Sequence, residues 1–291
     1  MMIELLAPAK VNLSLYITDK RDDGYHELIT RMQKLDLCDR LTIELTDSGV
    51  VEICCDAVDV LSDETNLAVR AAKEFFNCHG NERGYGLNIE LTKRIPVAAG
   101  LGGGSSDGAA ILKGLNRLFG APFSELELIS VGRRLGADFG FFVSDYTSVC
   151  ATGIGDELEP AEDVGGHYYL LVNPGISVET KWVYDNYRLT KKNNKFRFCG
   201  SQNIEKKGFS IDNLYNDLEQ VTIPRHPVIG ELKKMLIKQG AAGALMSGSG
   251  PTVFGLFEDK NCIEAAFDSL TKRFSQQKGY RIISTEAFSR I

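Results

Sequence analysis

A run of glycines places the strongest constraint on this chain. Four of the five residues in Gly100–Gly104 are glycines, and Ser105 and Ser106 follow them directly. Apolar residues then recur at helical spacing, which predicts a helix over residues 106–119. Ser105 or Ser106, with Asp107, is the predicted N-cap. Bare backbone N–H groups beside the positive end of a helix dipole favour an anion, so the segment predicts a phosphate-binding loop that side chains would block.

The glycine run differs from two common nucleotide-binding loops. It lacks the Gly-Lys-Ser or Gly-Lys-Thr ending of a Walker loop, and it does not follow the dinucleotide pattern of a βαβ unit with an acidic residue about 20 positions later. A flexible glycine hinge is the alternative interpretation, because isolated glycine motifs are often unrelated to phosphate. If the segment binds phosphate, it is a loop of another kind.

Charge and composition narrow the class of protein. The chain has 291 residues, a length typical of one or two domains, and 33 basic against 39 acidic residues give a net charge of -6. No block of Lys and Arg provides an electrostatic footprint for nucleic acid, and no apolar stretch is long enough for a membrane span. We therefore expect neither a nucleic-acid partner nor a membrane.

Cysteine usage and the first residues predict the compartment. The seven cysteines are an odd number without a C-x-x-C pair, which indicates reduced thiols. The chain enters an apolar, strand-like run at once, without the pattern of a secretory signal or transit peptide. We expect a cytoplasmic protein of bacterial origin, with a processed plastid chain as the alternative.

Hydrophobic periodicity predicts an α+β chain with a domain boundary near residue 160, giving domains 1–160 and 161–291. The polar, basic stretch 191–208 is predicted to be an exposed, mobile loop. The predicted strands are Val11–Ile17, Leu41–Leu45, Val50–Cys54, Leu87–Leu91, Thr252–Phe257 and Arg281–Thr285, and the predicted helices besides 106–119 are Asn66–Phe76, Glu125–Leu135, Pro227–Gln239 and Cys262–Phe274.

Charged residues stand in two apolar segments. Lys10 and Asn12 lie two positions apart on a predicted strand, so both side chains point to the same side; a solvated edge strand is the alternative. Asp138 lies within an aromatic run, where its desolvation needs a compensating cation. Lys10 is a candidate for that cation. A second small-residue loop, Ser247–Gly250, is also compatible with a plain tight turn.

Three of these segments together resemble the motifs of the galactokinase, homoserine kinase, mevalonate kinase and phosphomevalonate kinase (GHMP) superfamily. The segments are 8–13, 96–107 and 243–252, and they occur in the superfamily's order. Segments 21–26 and 216–219 are similar to members whose acceptor is a cytidine diphosphate-linked polyol. The resemblance implies a two-domain α+β fold with the active site in the cleft between the halves, ATP as cofactor with magnesium, and a glycine-loop ATP domain at the N-terminus.

The resemblance also implies residue roles. Asp138 would accept the proton of the acceptor hydroxyl, Lys10 would keep Asp138 ionised and stabilise the transferred phosphoryl group, and Asn12 would position the acceptor. The residues implied to contact the ATP phosphates are those of the glycine loop, Gly100, Leu101, Gly102, Gly103, Gly104, Ser105 and Ser106, of which Ser105 or Ser106 would also bind magnesium. Asn66 and Lys93 would contact adenosine. Tyr25, His26 and Tyr184 would contact cytosine, and Thr180 would contact the polyol end.

Several alternatives accompany these roles. His26 could be a surface imidazole in a polar turn, and Tyr184 a core aromatic. A homoserine or mevalonate kinase is disfavoured by the Gly24–His26 turn, which such acceptors do not need, and a non-catalytic relative by the presence of both Lys10 and Asp138. The chain has Phe139 and Gly140 where the superfamily's relevant members usually have valine or isoleucine and then proline, so we expect a looser loop at Asp138.

Overall fold

A computed structural model describes residues 1–57, 60, 63–81, 83–189 and 209–289. The predicted loop 191–208 lies outside this range. By contacts, the chain divides into a first unit, made of Met1–Ala9, Leu37–Val97 and Gly102–Tyr146, and a second unit, made of Lys10–Asp36, Ala98–Leu101 and Thr147–Ile291. This division is discontinuous in sequence. The domains predicted from a boundary near residue 160 stay a prediction.

Two long strands run through both units. Strand β1 spans Met2–Lys20 and β2 spans His26–Thr46, far beyond the short runs predicted there, and the two are neighbours in one sheet. Polar and apolar residues alternate along β1, with polar side chains at Lys10, Asn12 and Ser14. Both sets of side chains are buried in this stretch. The polar set therefore requires partners inside the protein.

In the first unit, helices pack against part of a sheet that contains both antiparallel and parallel strand pairs. Strand β4 (Gly86–Thr92) pairs antiparallel with the end of β2 and parallel with β3 (Val51–Cys55). A core of small and large apolar residues, among them Phe75 and Phe139, lies beneath the helices. The elements are β3 Val51–Cys55, α1 Leu67–His79, β4 Gly86–Thr92, α2 Gly103–Leu118, α3 Glu125–Arg133 and α4 Phe139–Val143.

The second unit contains a four-stranded antiparallel sheet in the order β11 (Arg281–Glu286), β7 (Tyr168–Asn173), β10 (Val253–Phe257) and β9 (Gly243–Met246). Helices α7 (Pro227–Lys238) and α8 (Lys260–Phe274) cover it with apolar residues spaced for a helical face, namely Leu232, Leu236, Ile263 and Leu270. The elements are β5 Ser148–Thr152, β6 Glu157–Pro160, β7 Tyr168–Asn173, α5 Thr180–Asn186, β8 Tyr215–Asn216, α6 Glu219–Arg225, α7 Pro227–Lys238, β9 Gly243–Met246, β10 Val253–Phe257, α8 Lys260–Phe274 and β11 Arg281–Glu286.

Helices and strands of both units confirm the α+β prediction. Apart from β1 and β2, which are much longer than predicted, the predicted elements lie within a few residues of the observed ones, and Pro227 occupies the first turn of α7, as its fixed φ favours. The chain therefore has the fold class that its periodicity predicts.

Candidate active site

The glycine loop leads into helix α2 through left-handed backbone. Ala98, Gly100 and Gly102 have φ values of 52°, 75° and 72°. The helix begins at Gly103 and its N-cap is Gly102, which has no side chain to accept a hydrogen bond. The prediction of a serine N-cap was wrong, because left-handed Gly102 turns the chain into the helix first. The N–H groups of this first turn are thus left open to an anion.

Close packing explains why position 100 is a glycine. A Cβ placed on Gly100 would lie 2.3 Å from the carbonyl oxygen of Ser247, and the Ser247 hydroxyl donates a hydrogen bond of 2.9 Å to the Gly100 carbonyl. Lys10 N also donates to the carbonyl of Leu101, at 2.9 Å. The first part of the glycine loop is therefore fixed between β1 and the Ser247–Gly250 loop.

Gly103 and Gly104 are also packed closely against the protein. A Cβ on Gly103 would lie 3.1 Å from Ile95 Cγ2 and 3.3 Å from Lys93 Nζ, and one on Gly104 would lie 3.3 Å from Leu67 Cδ1. In both cases the added atom would meet protein. A side chain here would disturb the packing beneath the loop, and the expectation that it would also block a phosphate stays a prediction.

Lys10 and Asn12 form a buried pair. Their exposed fractions are 5% and 3%, and Lys10 Nζ donates to Asn12 Oδ1 at 2.6 Å. The prediction that both point to one side is confirmed, and the alternative of a solvated edge strand is wrong. The hydrogen bond fixes the ammonium group in a desolvated position, where its charge acts more strongly than in water.

The loop Ser247–Gly250 is held by side chains of the same unit. Asn216 Nδ2 donates to the carbonyls of Met246 and Gly248, each at 2.8 Å, and the hydroxyls of Thr180 and Ser249 lie 2.8 Å apart. Asn216 is buried, and its own place is set by the short parallel pairing of β8 with β1. No local pattern in the sequence predicts these hydrogen bonds of Asn216, although segment 216–219 is part of the resemblance.

An aromatic cluster surrounds His26. The imidazole is 5% exposed, and its ring centroid lies 5.6 Å from that of Tyr184 and 6.5 Å from that of Tyr187. Burial lowers the pKa of His26, with a further lowering from Lys20 and an opposing effect of Asp185. The surface alternative for His26 is wrong. Tyr25, by contrast, is 61% exposed.

Lys93 lies in a buried ionic cluster of the first unit. Its Nζ contacts Asp39 Oδ2 and lies 2.8 Å from Asp107 Oδ2. Asp39 Oδ1 accepts the backbone N–H groups of Arg94 and Ile95, so one carboxylate orders the segment before the glycine loop. The resemblance implies an adenosine contact for Lys93, whereas its ion pairs with Asp39 and Asp107 are not predicted from the sequence. Asn66, the other adenosine candidate, caps α1 by accepting from Ala68 N at 2.9 Å.

Asp138 stands just before the short helix α4. It is half-buried, which corrects the expectation of an aspartate desolvated among aromatics, because the phenylalanines turn into the core instead. Phe139 is fully buried, and a Cβ on Gly108 or Gly132 would lie 2.6 Å or 2.9 Å from its side chain. Phe139 therefore anchors this turn in the core, where a looser loop was expected.

Ser105 and Ser106 occupy the first turn of α2. Ser105 is half-buried, whereas Ser106 is 1% exposed, and its Oγ has no hydrogen-bond partner in the described part of the chain. A buried hydroxyl without a partner costs free energy, so a partner is expected there.

Two models of one protein family match separate segments of this chain. The family model described as GHMP kinases N terminal domain matches residues 66–151, and the model described as GHMP kinases C terminal matches residues 204–276. A curated relative of Syntrophotalea carbinolica, 4-diphosphocytidyl-2-C-methyl-D-erythritol kinase, is 43% identical over 288 residues, covering 98% of this chain and 99% of the relative. The chain belongs to the GHMP kinase family. As such it is an ATP-using phosphotransferase.

Further relatives of this GHMP kinase carry the same name. The one from Geobacter metallireducens is 46% identical over 92% of this chain and 94% of its own. A crystal structure of 4-(cytidine 5'-diphospho)-2C-methyl-D-erythritol kinase is 33% identical, covers 99% of this chain and 100% of its own, and has a TM-score of 0.79. Homoserine kinase from Cytophaga hutchinsonii, 20% identical with a TM-score of 0.76 over 98% of this chain and 95% of its own, shares the fold.

The described residues contain neither a helix suited to span a membrane nor a cluster of His, Cys, Asp or Glu side chains suited to bind a metal ion. None of the helices described is both long and apolar enough to cross a membrane. Among the residues placed in the structure, no group of three or more His, Cys, Asp or Glu side chains could hold a metal ion.

Proposed function

We propose that this GHMP kinase transfers the terminal phosphate of ATP to the 2-hydroxyl of 4-diphosphocytidyl-2-C-methyl-D-erythritol, as part of the non-mevalonate route to isoprenoid precursors. The products are ADP and the 2-phosphate. The observation that carries this proposal is the 43% identity, over almost the whole of both chains, to a relative of that name. The buried Lys10 and the open helix start of α2 supply the chemistry such a transfer needs.

The ATP phosphates bind at the glycine loop. The uncapped N–H groups at Gly103, Gly104 and Ser105 offer donors, and the first turn of α2 contains no acidic residue to repel an anion. We assign magnesium to Ser105 or Ser106, because a hydroxyl without a partner stands there. Bound to the nucleotide, the ion would neutralise charge on the phosphate oxygens, and Mg²⁺ commonly needs only one or two protein ligands of its own. Asn66 and Lys93 stay as the proposed adenosine contacts.

Asp138 and Lys10 take the catalytic roles. Asp138 accepts the proton of the acceptor hydroxyl, whose oxygen bonds to the γ-phosphorus while the bond to the bridging oxygen breaks and ADP leaves. Lys10 provides a fixed positive charge that stabilises the transferred phosphoryl group, supported by its burial and its bond to Asn12. Asn12 additionally positions the acceptor.

Recognition of the acceptor depends on its cytosine. The neutral imidazole of His26 and the ring of Tyr184 form a prearranged aromatic surface, and exposed Tyr25 precedes His26 in the chain. A base stacks on such rings with little loss of side-chain entropy. Thr180, held near Ser249, is assigned to the polyol end.

A panel of acceptors tests the proposal. ADP release is measured in a coupled assay with ATP and either 4-diphosphocytidyl-2-C-methyl-D-erythritol, the same polyol without its cytidine, homoserine or mevalonate. We expect ADP release that depends on the cytidine-linked acceptor alone. Equal release with homoserine or mevalonate would assign the chain to another GHMP activity, and release with no acceptor above background would support a non-catalytic relative.

A further inference from the structure

A chain of buried hydrogen bonds ends at Lys10. The Thr30 hydroxyl lies 2.6 Å from the carbonyl oxygen of Ser14, Asn12 Nδ2 lies 2.8 Å from Thr30 Oγ1, and Lys10 Nζ lies 2.6 Å from Asn12 Oδ1. The exposed fractions of Thr30 and Ser14 are 2% each. All four residues belong to β1 and β2 within the second unit.

The donors and acceptors allow only one direction for this series of hydrogen bonds. The Ser14 carbonyl only accepts, so the single hydroxyl hydrogen of Thr30 is committed to it. Thr30 Oγ1 then faces Asn12 as an acceptor, which requires the NH₂ end of the Asn12 amide. Asn12 Oδ1 is consequently turned to the Lys10 ammonium, a group with donors only. The amide orientation therefore follows from the network itself.

We propose that Thr30 is a positioning residue, which fixes the Asn12 amide and thereby the location of the Lys10 ammonium. The inference rests on the proposed catalytic role of Lys10. Without the Thr30 hydroxyl, the Asn12 NH₂ group loses this acceptor at a residue that is only 3% exposed. Rotation of the Asn12 amide would not replace the lost hydrogen bond, because it would place the NH₂ hydrogens against the Lys10 ammonium group.

Three variants separate positioning from ordinary packing. Thr30→Val keeps the shape of the side chain but removes the oxygen, whereas Thr30→Ser keeps the oxygen. Ser148→Ala is the matched control, because Ser148 is a buried residue of the same unit whose hydroxyl donates to the Met32 carbonyl at 3.2 Å. It removes a comparable buried hydrogen bond.

Steady-state kinetics beside thermal melts provides the first readout. Thr30→Val should lower kcat by about 5- to 150-fold, the effect of one buried donor left unsatisfied, with both KM values within about twofold of wild type. Thr30→Ser should restore kcat to within about threefold. Ser148→Ala should lower the melting temperature with kcat unchanged. A kcat for Thr30→Val equal to that of Thr30→Ser would overturn the inference.

NMR of the side-chain amide keeps the test independent of turnover. The two Asn12 NH₂ proton signals, identified by their loss in Asn12→Asp, should shift and exchange faster with solvent in Thr30→Val, and should be unchanged in Thr30→Ser and Ser148→Ala. Unchanged signals in Thr30→Val would also overturn the inference. A wild-type protein inactive on the cytidine-linked acceptor would instead defeat the proposed function, while these signals still decide the role of Thr30.

Discussion

Lys93 Nζ lies 2.8 Å from Asp107 Oδ2, and the same ammonium contacts Asp39, so one buried cation pairs with two carboxyl groups. Asp39 accepts two further backbone hydrogen bonds, whereas Asp107 Oδ1 has no partner among the residues described. Burial raises the pKa of Asp107 to about 8, and Lys93 offsets only part of this effect. At neutral pH the cluster therefore keeps a proton on Asp107.

Stability should depend on the protonation of Asp107. Because the pKa of Asp107 is raised from the ordinary value of 3.8, the folded state binds a proton that the unfolded chain releases. This contribution is complete below about pH 4 and is lost as pH rises toward 8, with a slope of at most about 1.4 kcal/mol per pH unit. Asp107→Asn, which is always neutral, should flatten the fall in melting temperature between pH 5 and pH 9.

The melting temperature of Asp107→Asn is compared with that of wild type at each pH, so that the contributions of other titrating groups, such as buried His26, cancel. Asp145→Asn, at an exposed ion pair with Lys113, is the control and should follow the wild-type curve. Parallel curves for Asp107→Asn and wild type would show that Asp107 is already ionised in the folded protein at pH 5.

Two glycines with the same backbone angle separate conformational strain from close packing. Gly100 and Gly120 have φ values of 75° and 77°, but a Cβ on Gly120 meets no atom within 4 Å. Gly120→Ala should cost about 1 to 2 kcal/mol from left-handed backbone alone. Gly100→Ala should cost roughly 2 to 5 kcal/mol, because the Cβ would also approach the Ser247 carbonyl.

Urea unfolding measures both costs, and titration with an ATP analogue measures binding. Affinity should fall in Gly100→Ala and stay at the wild-type value in Gly120→Ala. Equal losses of stability in the two variants would mean that the packing of Gly100 against Ser247 contributes nothing.

Local patterns in the sequence predicted the elements that have regular periodicity. The helix predicted over Pro227–Gln239 is Pro227–Lys238, and the helix predicted from Asn66 has that residue as its N-cap. The alternation of β1 placed Lys10 and Asn12 on one side, although the strand proved much longer. Period and capping are local properties, so they can be predicted from neighbouring residues.

What the sequence did not predict depends on distant residues or very short elements. Asp39 and Asp107 meet at Lys93 although 68 positions separate the two carboxylates, and no local pattern marks such a contact. Strand β8 has two residues and α4 has five, too few for a recognisable period. The helix cap at Gly102 was missed because left-handed backbone competes with the usual serine cap.

Acceptor selection should depend on the ring of Tyr184. Its contact with His26 makes it part of the proposed cytosine surface. Base stacking contributes roughly 1 to 3 kcal/mol, so Tyr184→Ala should raise the KM for the acceptor by about 5- to 150-fold and leave the KM for ATP unchanged. Steady-state kinetics with each substrate varied checks this, beside a thermal melt. Equal losses for both substrates, with a lower melting temperature, would make Tyr184 a structural aromatic.

Proton transfer should depend on Asp138. Asp138→Asn keeps the size of the side chain but removes the base, so kcat should fall by about a hundredfold or more while the melting temperature stays near that of wild type. Asp145→Asn serves again as the surface control and should keep full activity. Turnover near the wild-type rate in a folded Asp138→Asn protein would exclude Asp138 as the base.

The position of the transferred phosphate tests the central claim most directly. The 2-carbon of the acceptor carries a methyl group and no hydrogen, so a phosphate on its oxygen has no proton three bonds away. In a proton-coupled ³¹P NMR spectrum of the product, we predict a new phosphomonoester singlet that appears together with ADP. A triplet or a doublet would place the phosphate on a primary or a secondary hydroxyl, and the absence of any new phosphomonoester signal would contradict the proposed transfer itself.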